Sequence, residues 1–283
     1  MSAVITGTLY LVATPIGNLA DIGHRAIEVL QSVDIVAAED TRHSRKLLQH
    51  YQIERQLIAL HEHNERESAS RLLEKLQAGV SIALISDAGT PLISDPGFNL
   101  VRLVREHGIS VVPVPGACAL ICALSASGLP TDRFTFEGFL PSKSSGRCAR
   151  LNLLTHETRT MIFYESNHRI VESLQDMAEI FGGNRQAVLA RELTKQFETI
   201  RGDTLSALVS WVSDDTQQQK GEIVVLVHGK ETSDNNEVTP EAEQMLKILM
   251  DELPIKQAAK LAAKLCGIKK RSLYEKALEL KDV

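Results

Sequence analysis

Residues 86–97 read Ser-Asp-Ala-Gly-Thr-Pro-Leu-Ile-Ser-Asp-Pro-Gly, and this stretch decides the fold class. It lies between an apolar run at 80–85 and an amphipathic run at 98–107, where a strand is expected to pass into a helix. A loop at that junction lies at the carboxyl end of a strand, which is the usual place for a ligand in an open α/β sheet. We therefore expect residues 86–97 to face a ligand.

The segments around this loop alternate between short apolar runs and amphipathic helices. The apolar runs predict strands at 9–13, 35–38, 57–60, 80–85 and 109–114. Such an alternation predicts a parallel sheet covered on both faces, in a first domain at 1–129. Two more turns, Thr14-Pro15-Ile16-Gly17 and Val114-Pro115-Gly116-Ala117, follow strands of this sheet. Three glycine-containing turns then share one edge of the sheet, which predicts a pocket there.

A second α/β pattern occupies residues 130–230. Its apolar runs predict strands at 134–139, 161–164, 187–191, 197–201 and 223–228. Some of these runs are only a few residues apart, which favours a mixed sheet with antiparallel pairing. The polar stretch 231–238 is typical of a linker, and three helices are expected within 239–283, at 240–252, 254–266 and 270–280. The predicted fold class is α/β, with two α/β domains and a small C-terminal helical domain.

Charge is unevenly distributed along the chain. Residues 254–283 carry eight basic and three acidic side chains, a net charge of +5, which leaves −10 on the rest because the whole chain carries −5. The candidate RNA contacts in this tail are Lys256, Lys260, Lys264, Lys269, Lys270 and Arg271. With Gly267 as the turn, the last two helices have helix-turn-helix proportions. An RNA contact and a docking bundle with a solvated lysine face both remain open.

Several classes of protein are disfavoured by what the sequence lacks. The first turn has no G-x-G-x-x-G, Pro15 removes a backbone donor there, and no P-loop motif occurs, so a pyrophosphate ligand is not expected. No basic leader precedes an apolar run, and no apolar run reaches the roughly 20 residues that span a bilayer, so a cytoplasmic protein without a membrane partner is expected. The four cysteines are expected to be reduced structural thiols.

Acidic residues at predicted strand ends have two interpretations each. Glu39 and Asp40 either contact a ligand or cap the following helix, and both alternatives stay open. Asp95 precedes Pro96, which fits a helix N-cap followed by proline at the first helical position. Asp87 has no such structural explanation, so residues 87–90 are expected to face the ligand. His61-Glu62-His63 could hold a metal ion, but a polar loop without metal is preferred because no third ligand is identifiable.

At this point the sequence resembles a known family. Residues 10–18, 86–97, 112–116 and 221–229, taken in order, resemble the tetrapyrrole methylases, class III methyltransferases that use S-adenosylmethionine. Together with residues 60–64 and 139–141, the loop resembles one branch of that family. Members of that branch methylate the ribose 2′-oxygen of a cytidine in the decoding centre of 16S rRNA. The resemblance implies the tetrapyrrole methylase fold, a donor in the cleft between the two α/β domains, a homodimer, and 16S rRNA or the small ribosomal subunit as partner.

The resemblance also implies positions for the site residues. The implied donor contacts are Pro15, Gly17, Asp87, Ala88, Gly89, Thr90, Leu92, Gly116, Ala117, Tyr164, Ala190 and Arg191. A ribose hydroxyl is weakly acidic, so a base or a cation is needed near it, and the candidates at strand ends are Glu165, Glu192 and Lys195. Candidate phosphate contacts in the body are Arg42, Lys143, Arg147 and Arg191. Lys143 and Arg147 belong to a loop, 141–147, that is expected to be flexible.

Two other functions remain open from the sequence. One is methylation of a tetrapyrrole or another small molecule on the same fold. The other is a non-catalytic RNA-binding module. Aromatic residues make up only 4% of the chain, which disfavours RNA binding by base stacking on a broad platform.

Overall fold

The computed structural model describes residues 7–61, 64–231 and 238–281. The chain divides into two compact units, one ending at Gly229 and the other beginning at Lys230. Glu62 and His63 of the predicted polar loop, and residues 232–237 of the predicted linker, lie outside the described residues. In the part of the chain that the structure describes, no helix has the length and apolar character needed to cross a membrane.

The first sheet is parallel, as the alternation of strands and helices predicts. Its strands are β1 (Thr8–Val12), β2 (Ile35–Ala38), β3 (Gln56–Ala59), β4 (Ile82–Ile85) and β5 (Ser110–Val114), in the order β3-β2-β4-β1-β5. Its helices are α1 (His24–Ser32), α2 (Thr41–His50), α3 (Glu65–Gln77), α4 (Phe98–Glu106) and α5 (Ala119–Ala126). Alternate residues of β2 and β4 enter separate apolar cores on the two faces. This double burial explains why these strands are apolar throughout.

The second sheet is mixed, which confirms the prediction of partly antiparallel pairing. Its strands are β6 (Phe134–Phe139), β7 (Thr160–Ser166), β8 (Gln186–Arg191), β9 (Thr199–Thr204) and β10 (Glu222–Val227), in the order β6-β7-β10-β8-β9. Strands β6 and β7 are parallel, and the other neighbours are antiparallel. Three helices, α6 (Ser144–Leu153), α7 (Ile170–Phe181) and α8 (Leu205–Asp214), supply side chains to its larger core.

Helix α5 joins the two sheets into one unit. It follows β5 of the first sheet, yet its buried residues Leu120, Ala123 and Leu124 pack against β7, β8 and β10 of the second sheet. The carboxyl edge of the first sheet is thereby held against the second sheet.

The C-terminal unit contains the three predicted helices. They are α9 (Pro240–Glu252), α10 (Ile255–Cys266) and α11 (Lys270–Lys281). Small residues, among them Ala258, Ala259 and Ala262, fill its core. Gly267 has φ 71° and ends α10, a left-handed position that glycine adopts without a steric penalty. Gly267 is therefore the turn residue after α10, as the sequence predicts.

Candidate active site

A cavity of about 500 Å³ lies between the carboxyl edge of the first sheet and the strands β7 and β10 of the second. The loop 86–97 supplies seven of its lining residues, which are Asp87, Ala88, Gly89, Thr90, Ile93, Ser94 and Asp95. The rest of the first half contributes Ile16, Glu39, Cys118 and Ala119. The second half contributes Phe139, Tyr164, Glu165, Ser166, Asn167, Leu193 and 221–224. The predicted pocket is therefore present, and it has a wall from each half.

Backbone contacts hold the loop 86–97 against the turns after β1 and β5. Thr14 N donates to Gly89 O at 2.8 Å, and Gly89 N donates to Thr14 O at 3.0 Å. Thr90 Oγ1 donates to Ala117 O at 3.0 Å. Gly89 has φ 86°, a conformation that a Cβ would strain, so this close approach of three turns requires glycine there.

The prediction that Asp95 caps a helix is wrong. Helix α4 begins at Phe98, and its N-cap residue is Gly97, which has no side chain that could cap the helix. Instead Glu65, from the first turn of α3, accepts from Gly97 N at 3.0 Å and from Asn99 N at 2.9 Å, and its second oxygen accepts from Asn99 Nδ2 at 2.9 Å. Because Glu65 satisfies these donors, Asp95 is left to line the cavity.

Replacing Glu65 by alanine is expected to loosen the loop. Gly97 N and Asn99 N lose their acceptor, a loss of about 1–2 kcal/mol in the free energy of unfolding by analogy with a removed helix cap. The affinity for the donor proposed below should fall by about tenfold, since two residues of the loop, Leu92 and Ser94, have positive φ and need this support.

Glu65→Gln is the matched control, because a glutamine oxygen still accepts from both backbone donors and the Asn99 amide can turn to accept from the new NH₂. Denaturation by urea and calorimetric titration with the donor check both variants. If Glu65→Ala and the native chain had the same free energy of unfolding and the same donor affinity, the assigned role of Glu65 would be contradicted.

The sequence left two interpretations for Glu39 and Asp40, a ligand contact and a helix cap, and the structure places the two residues differently. Asp40 is the N-cap of α2, where its Oδ1 accepts from Arg42 N at 2.8 Å, and this hydrogen bond lowers the pKa of its carboxyl. Glu39 lines the cavity. The Asp40 N–H in turn donates to Asp87 Oδ1 at 3.1 Å, so the ends of β2 and β4 are joined beside the cavity.

Tyr164 connects the two walls of the cavity. Its hydroxyl accepts from Leu120 N at 3.2 Å, at the start of α5, where Cys118 provides no side-chain cap. Its ring lies edge-on to Phe136 and Phe139, with centroids at 4.9 and 5.6 Å. Burial raises the pKa of its phenol. Tyr164 therefore orders the helix that links the sheets while its ring forms part of the cavity surface.

Glu165 is held by a structural network. Its buried carboxylate accepts from Arg169 Nε at 2.5 Å, Ser173 Oγ at 2.7 Å and Ser166 N at 2.7 Å. The side chain is fully buried, so these donors occupy the oxygens that a base would use. These contacts argue against proton transfer at Glu165 and for a role in holding β7 against α7.

Glu192 and Lys195 form an ion pair at 2.8 Å, and Lys195 also contacts Glu222 at 2.8 Å. Burial opposes charge on both partners, but the hydrogen bonds between them outweigh it, so the pKa of Glu192 is lowered and that of Lys195 is raised. A carboxylate with a lowered pKa is a weaker base. The pair lies beside Leu193 and Gly221, at the rim of the cavity.

Only some of the twelve implied donor contacts line the cavity. Those that line it are Asp87, Ala88, Gly89, Thr90 and Tyr164. Leu92 instead packs against the core of the first sheet. Gly116 approaches Ala13 so closely that a Cβ would lie 2.8 Å from the alanine methyl group.

Three more of the implied donor contacts pack against neighbouring parts of the protein. Pro15 is buried in the turn after β1, and Gly17 lies against the Lys195 side chain. Ala190 belongs to the core between α5 and the second sheet.

Two of the predicted phosphate contacts have other partners. Arg191 is buried and donates to Lys220 O at 3.2 Å and to Phe197 O at 3.1 Å. Arg147 is only 1% exposed and lies in helix α6, not in a flexible loop, with Nε 2.6 Å from Asp176 Oδ2. Both geometries argue against contact with a phosphate, because the guanidinium groups are turned inward.

The remaining predicted cations are exposed. Arg42 and Lys143 lie at the starts of α2 and α6. On α10, Lys256, Lys260 and Lys264 recur at four-residue intervals and are exposed, whereas Arg271 on α11 pairs with Glu275 at 2.8 Å. Among the predicted cations of the C-terminal unit, those without an ion pair in the described residues therefore lie along α10 and at Lys269 and Lys270.

No group of three His, Cys, Asp or Glu side chains among the described residues is placed to hold a metal ion. His63, the second histidine of the motif that raised this alternative, lies outside them. Sequence reasoning did not identify Phe139, Ser166 and Asn167 as cavity residues. They reach the cavity only because α5 brings the second sheet against the first, and no local sequence signal marks that contact.

Comparison with known proteins agrees with this architecture. Residues 8–209 match the Tetrapyrrole (Corrin/Porphyrin) Methylases, and residues 236–281 match the RsmI C-terminal HTH domain. The chain therefore belongs to the tetrapyrrole methylase family, which confirms the resemblance seen in the sequence.

Two similar curated proteins are both named Ribosomal RNA small subunit methyltransferase I. The protein of Pseudomonas aeruginosa is 59% identical, over 96% of this chain and 97% of its own length. The protein of Escherichia coli O157:H7 is 56% identical, over 96% of this chain and 95% of its own length.

Solved structures share the fold at low identity. The methyltransferase CobJ superposes with a TM-score of 0.59 at 18% identity, over 80% of this chain and 95% of that one. A uroporphyrin-III C-methyl transferase from Thermus thermophilus, complexed with S-adenyl homocysteine, gives 0.55 at 17% identity, over 79% and 98%.

Proposed function

We propose that this chain is an S-adenosylmethionine-dependent methyltransferase that methylates the ribose 2′-oxygen of a cytidine in 16S rRNA. The observation that carries the proposal is similarity along nearly the whole chain, including the C-terminal helices, to proteins named for methylation of small-subunit rRNA. The C-terminal residues 236–281 match the RsmI C-terminal HTH domain, which lies outside the residues 8–209 that match the tetrapyrrole methylases. The resemblance of the loop 86–97 points to the same branch of the family.

The cavity fits the proposed donor in size and chemistry. A volume of about 500 Å³ suits a ligand of nucleoside size. Apolar side chains, among them Ile16, Ile93 and Leu193, can pack against a base, and the carboxylates of Glu39, Asp87 and Asp95 suit a ligand with two cationic centres. The backbone at Gly89 and Thr90 carries no bulky side chain that would prevent close approach.

The residues of this chain act mainly by alignment. S-adenosylmethionine, when bound, supplies an electrophilic methyl group. Methyl transfer is an in-line displacement, so fixing the nucleophile against the donor site supplies a large share of the rate. The loop held by Glu65 and the wall held by Tyr164 provide two rigid surfaces for this purpose. The 2′-hydroxyl loses its proton as its oxygen forms the new bond to the methyl carbon.

The proposal extends to organisation and location. We divide the chain into a donor-binding domain at 1–129, a second α/β domain at 130–230 and a basic helical domain at 239–283. The protein acts as a homodimer in the cytoplasm, where small ribosomal subunits are its substrate. Exposed Phe98 and Phe197, at 63% and 66%, are apolar surface that a second copy would cover, and light scattering of the purified protein tests this assembly.

Incubation of purified protein with radiolabelled donor and small ribosomal subunits that lack the modification tests the activity. Label is expected in 16S rRNA, in a nucleoside that resists alkaline cleavage because its 2′-oxygen is blocked. Label in a base, in protein or in an added porphyrin but not in the ribose would contradict the proposal.

Charge reversal on α10 is expected to weaken binding of the RNA substrate. Lys256→Glu with Lys260→Glu removes two exposed cations, and we expect the KM for small subunits to rise by about tenfold or more, with a smaller dependence on salt. The stability of the variant should not fall, because acidic residues are favourable near a helix N-terminus.

Lys75→Glu with Arg105→Glu is the matched control, since both side chains are exposed on the first α/β half and the net charge changes equally. An equal loss in both double variants would show that the effect comes from overall charge and would contradict a specific contact by α10.

A further inference from the structure

Strand β6 contains a β-bulge where it reaches the cavity. Phe136 pairs with Ile162 of the parallel neighbour β7. The next pair joins Gly138 to Phe163, so one extra residue of β6 lies between the two pairs. Gly138 has φ 64°, a left-handed conformation that glycine adopts without a steric penalty. A bulge of this kind re-aims the side chains that follow it.

The side chain that the bulge re-aims is Phe139. Side chains alternate along a regular strand, so Phe139 would lie on the opposite face of the sheet from Phe136, the face covered by α6, α7 and α8. The extra residue moves it to the same face as Phe136. Both rings then contact the Tyr164 ring, and Phe139 lines the cavity while 56% of its surface stays exposed. The bulge thus exchanges a core position for an exposed one.

The bulge also lies against the loop 86–97 on the other wall of the cavity. A Cβ on Gly138 would be 3.5 Å from Ser94 Oγ. Phe139 therefore stands beside the loop that we assign to the methyl donor. The nucleoside that receives the methyl group must lie next to that donor, because the transfer is a direct displacement.

Two arginine side chains fix the backbone that follows Phe139. Arg169 Nη2 donates to Leu140 O at 2.9 Å, and Arg147 Nη1 donates to Ser142 O at 3.2 Å. Both guanidinium groups also form ion pairs within the second α/β half. A ligand that stacks on the Phe139 ring therefore meets a preorganised surface, which lowers the entropic cost of binding.

We propose that the ring of Phe139 is the surface on which the nucleobase of the methylated nucleoside stacks, an inference that rests on the proposed function. Bases that are not held in a duplex are commonly bound by stacking on aromatic side chains. Lys143, on the same segment, is exposed and forms no ion pair with the residues that the structure describes. It supplies a cation for a neighbouring phosphate, as a nucleotide ligand requires.

Exposure separates this base from the base of the donor. The apolar side chains available to the donor base include Ile16 and Leu193, each 7% exposed, whereas Phe139 is 56% exposed. Phe139 therefore lies at the mouth of the cavity, where the larger substrate arrives. A single ring at the mouth accommodates one base.

The test compares Phe139→Leu with Phe134→Leu in the full-length protein, using small ribosomal subunits that lack the modification. Phe134 is the matched control, because it is an exposed phenylalanine of the same strand that does not line the cavity. Three quantities are measured for each variant. They are kcat/KM for the subunits, donor affinity by calorimetry, and the midpoint of thermal unfolding.

Phe139→Leu keeps apolar volume but removes the aromatic faces, so kcat/KM for the subunits should fall by about tenfold or more. Donor affinity should stay within about threefold of the native value, because Tyr164 keeps its hydrogen bond to Leu120 N. Phe139→Tyr retains a ring that stacks and should restore kcat/KM to within about threefold of the native value. Phe134→Leu should behave as the native protein.

A second readout uses the native protein and does not depend on the folding of a variant. Short-wavelength ultraviolet light joins a nucleobase covalently to an aromatic side chain stacked on it. The complex of the protein with unmodified subunits and the demethylated donor product is irradiated, digested and mapped by mass spectrometry. We expect a cross-link between Phe139 and a cytidine of 16S rRNA.

Several results would overturn the role of Phe139 and leave the proposed function intact. They are a native kcat/KM in Phe139→Leu, an equal loss in Phe134→Leu, a Phe139→Tyr variant as impaired as Phe139→Leu, and a cross-link that maps to another residue. A fall in donor affinity as large as the fall in kcat/KM would show instead that the ring serves the donor. Native protein that binds the donor but methylates no ribose in rRNA would contradict the proposed function itself.

Discussion

Tyr164→Ala is expected to weaken donor binding by about 100-fold, the largest effect of any single substitution in the cavity wall. The change removes a large ring packed on Phe136 and Phe139, worth about 1.5–3 kcal/mol of apolar burial. It also removes the acceptor for Leu120 N at 3.2 Å, worth about 0.5–1.5 kcal/mol. Helix α5 loses its anchor to β7, and the two walls of the cavity are no longer held in register.

Tyr164→Phe separates the two contributions. The ring stays and only the hydrogen bond to Leu120 N is lost, so donor affinity should fall by about two- to tenfold. Calorimetric titration with S-adenosylmethionine and with its demethylated product measures both variants, and thermal unfolding shows whether the fold persists. Native affinity in Tyr164→Ala would remove Tyr164 from the donor site.

Asp176→Ala is expected to destabilise the protein by about 3 kcal/mol. The Arg147 guanidinium is 1% exposed and contacts Asp176 at 2.6 Å, so removal of the carboxylate leaves a buried cation without its main partner. Glu172 lies 3.6 Å away on an exposed position and compensates only in part. The midpoint of urea unfolding should fall accordingly.

Replacing both residues of the Arg147–Asp176 ion pair tests the same contact by a second route. Arg147→Met with Asp176→Leu removes both charges and keeps apolar volume, so most of the lost stability should return. RNA affinity of this folded double variant should equal that of the native protein. A stable Asp176→Ala variant together with a double variant that binds RNA poorly would show instead that Arg147 contacts the substrate.

Most strands and helices could be predicted from the sequence because burial imposes a visible pattern. Strands β2 and β4 are covered on both faces, so every residue in them is apolar. Helix α10 likewise buries Ala258, Ala259 and Ala262 on one face and exposes lysines on the other. Helix α6 escaped prediction because its first turn is rich in serine and glycine, and the burial of Arg147 against Asp176 on α7 stabilises it.

Only those features of the site that depend on neighbouring residues in the sequence could be predicted. The loop 86–97 and the turns beside it were identified because glycine, proline and aspartate at strand ends mark ligand-binding turns. The N-cap prediction for Asp95 failed because the cap of α4 comes from Glu65, 32 residues away along the chain. The partners of Glu165, Glu192 and Arg191 likewise depend on packing in the second sheet, so sequence alone could not separate a free charge from a paired one.

The central claim is that this chain methylates a ribose in small-subunit rRNA, and mass mapping of 16S rRNA from cells that lack the protein tests it most directly. One 2′-O-methylcytidine in the decoding centre is expected to disappear and to return when the native gene is restored. An unchanged set of ribose methylations in cells without the protein would contradict the claim.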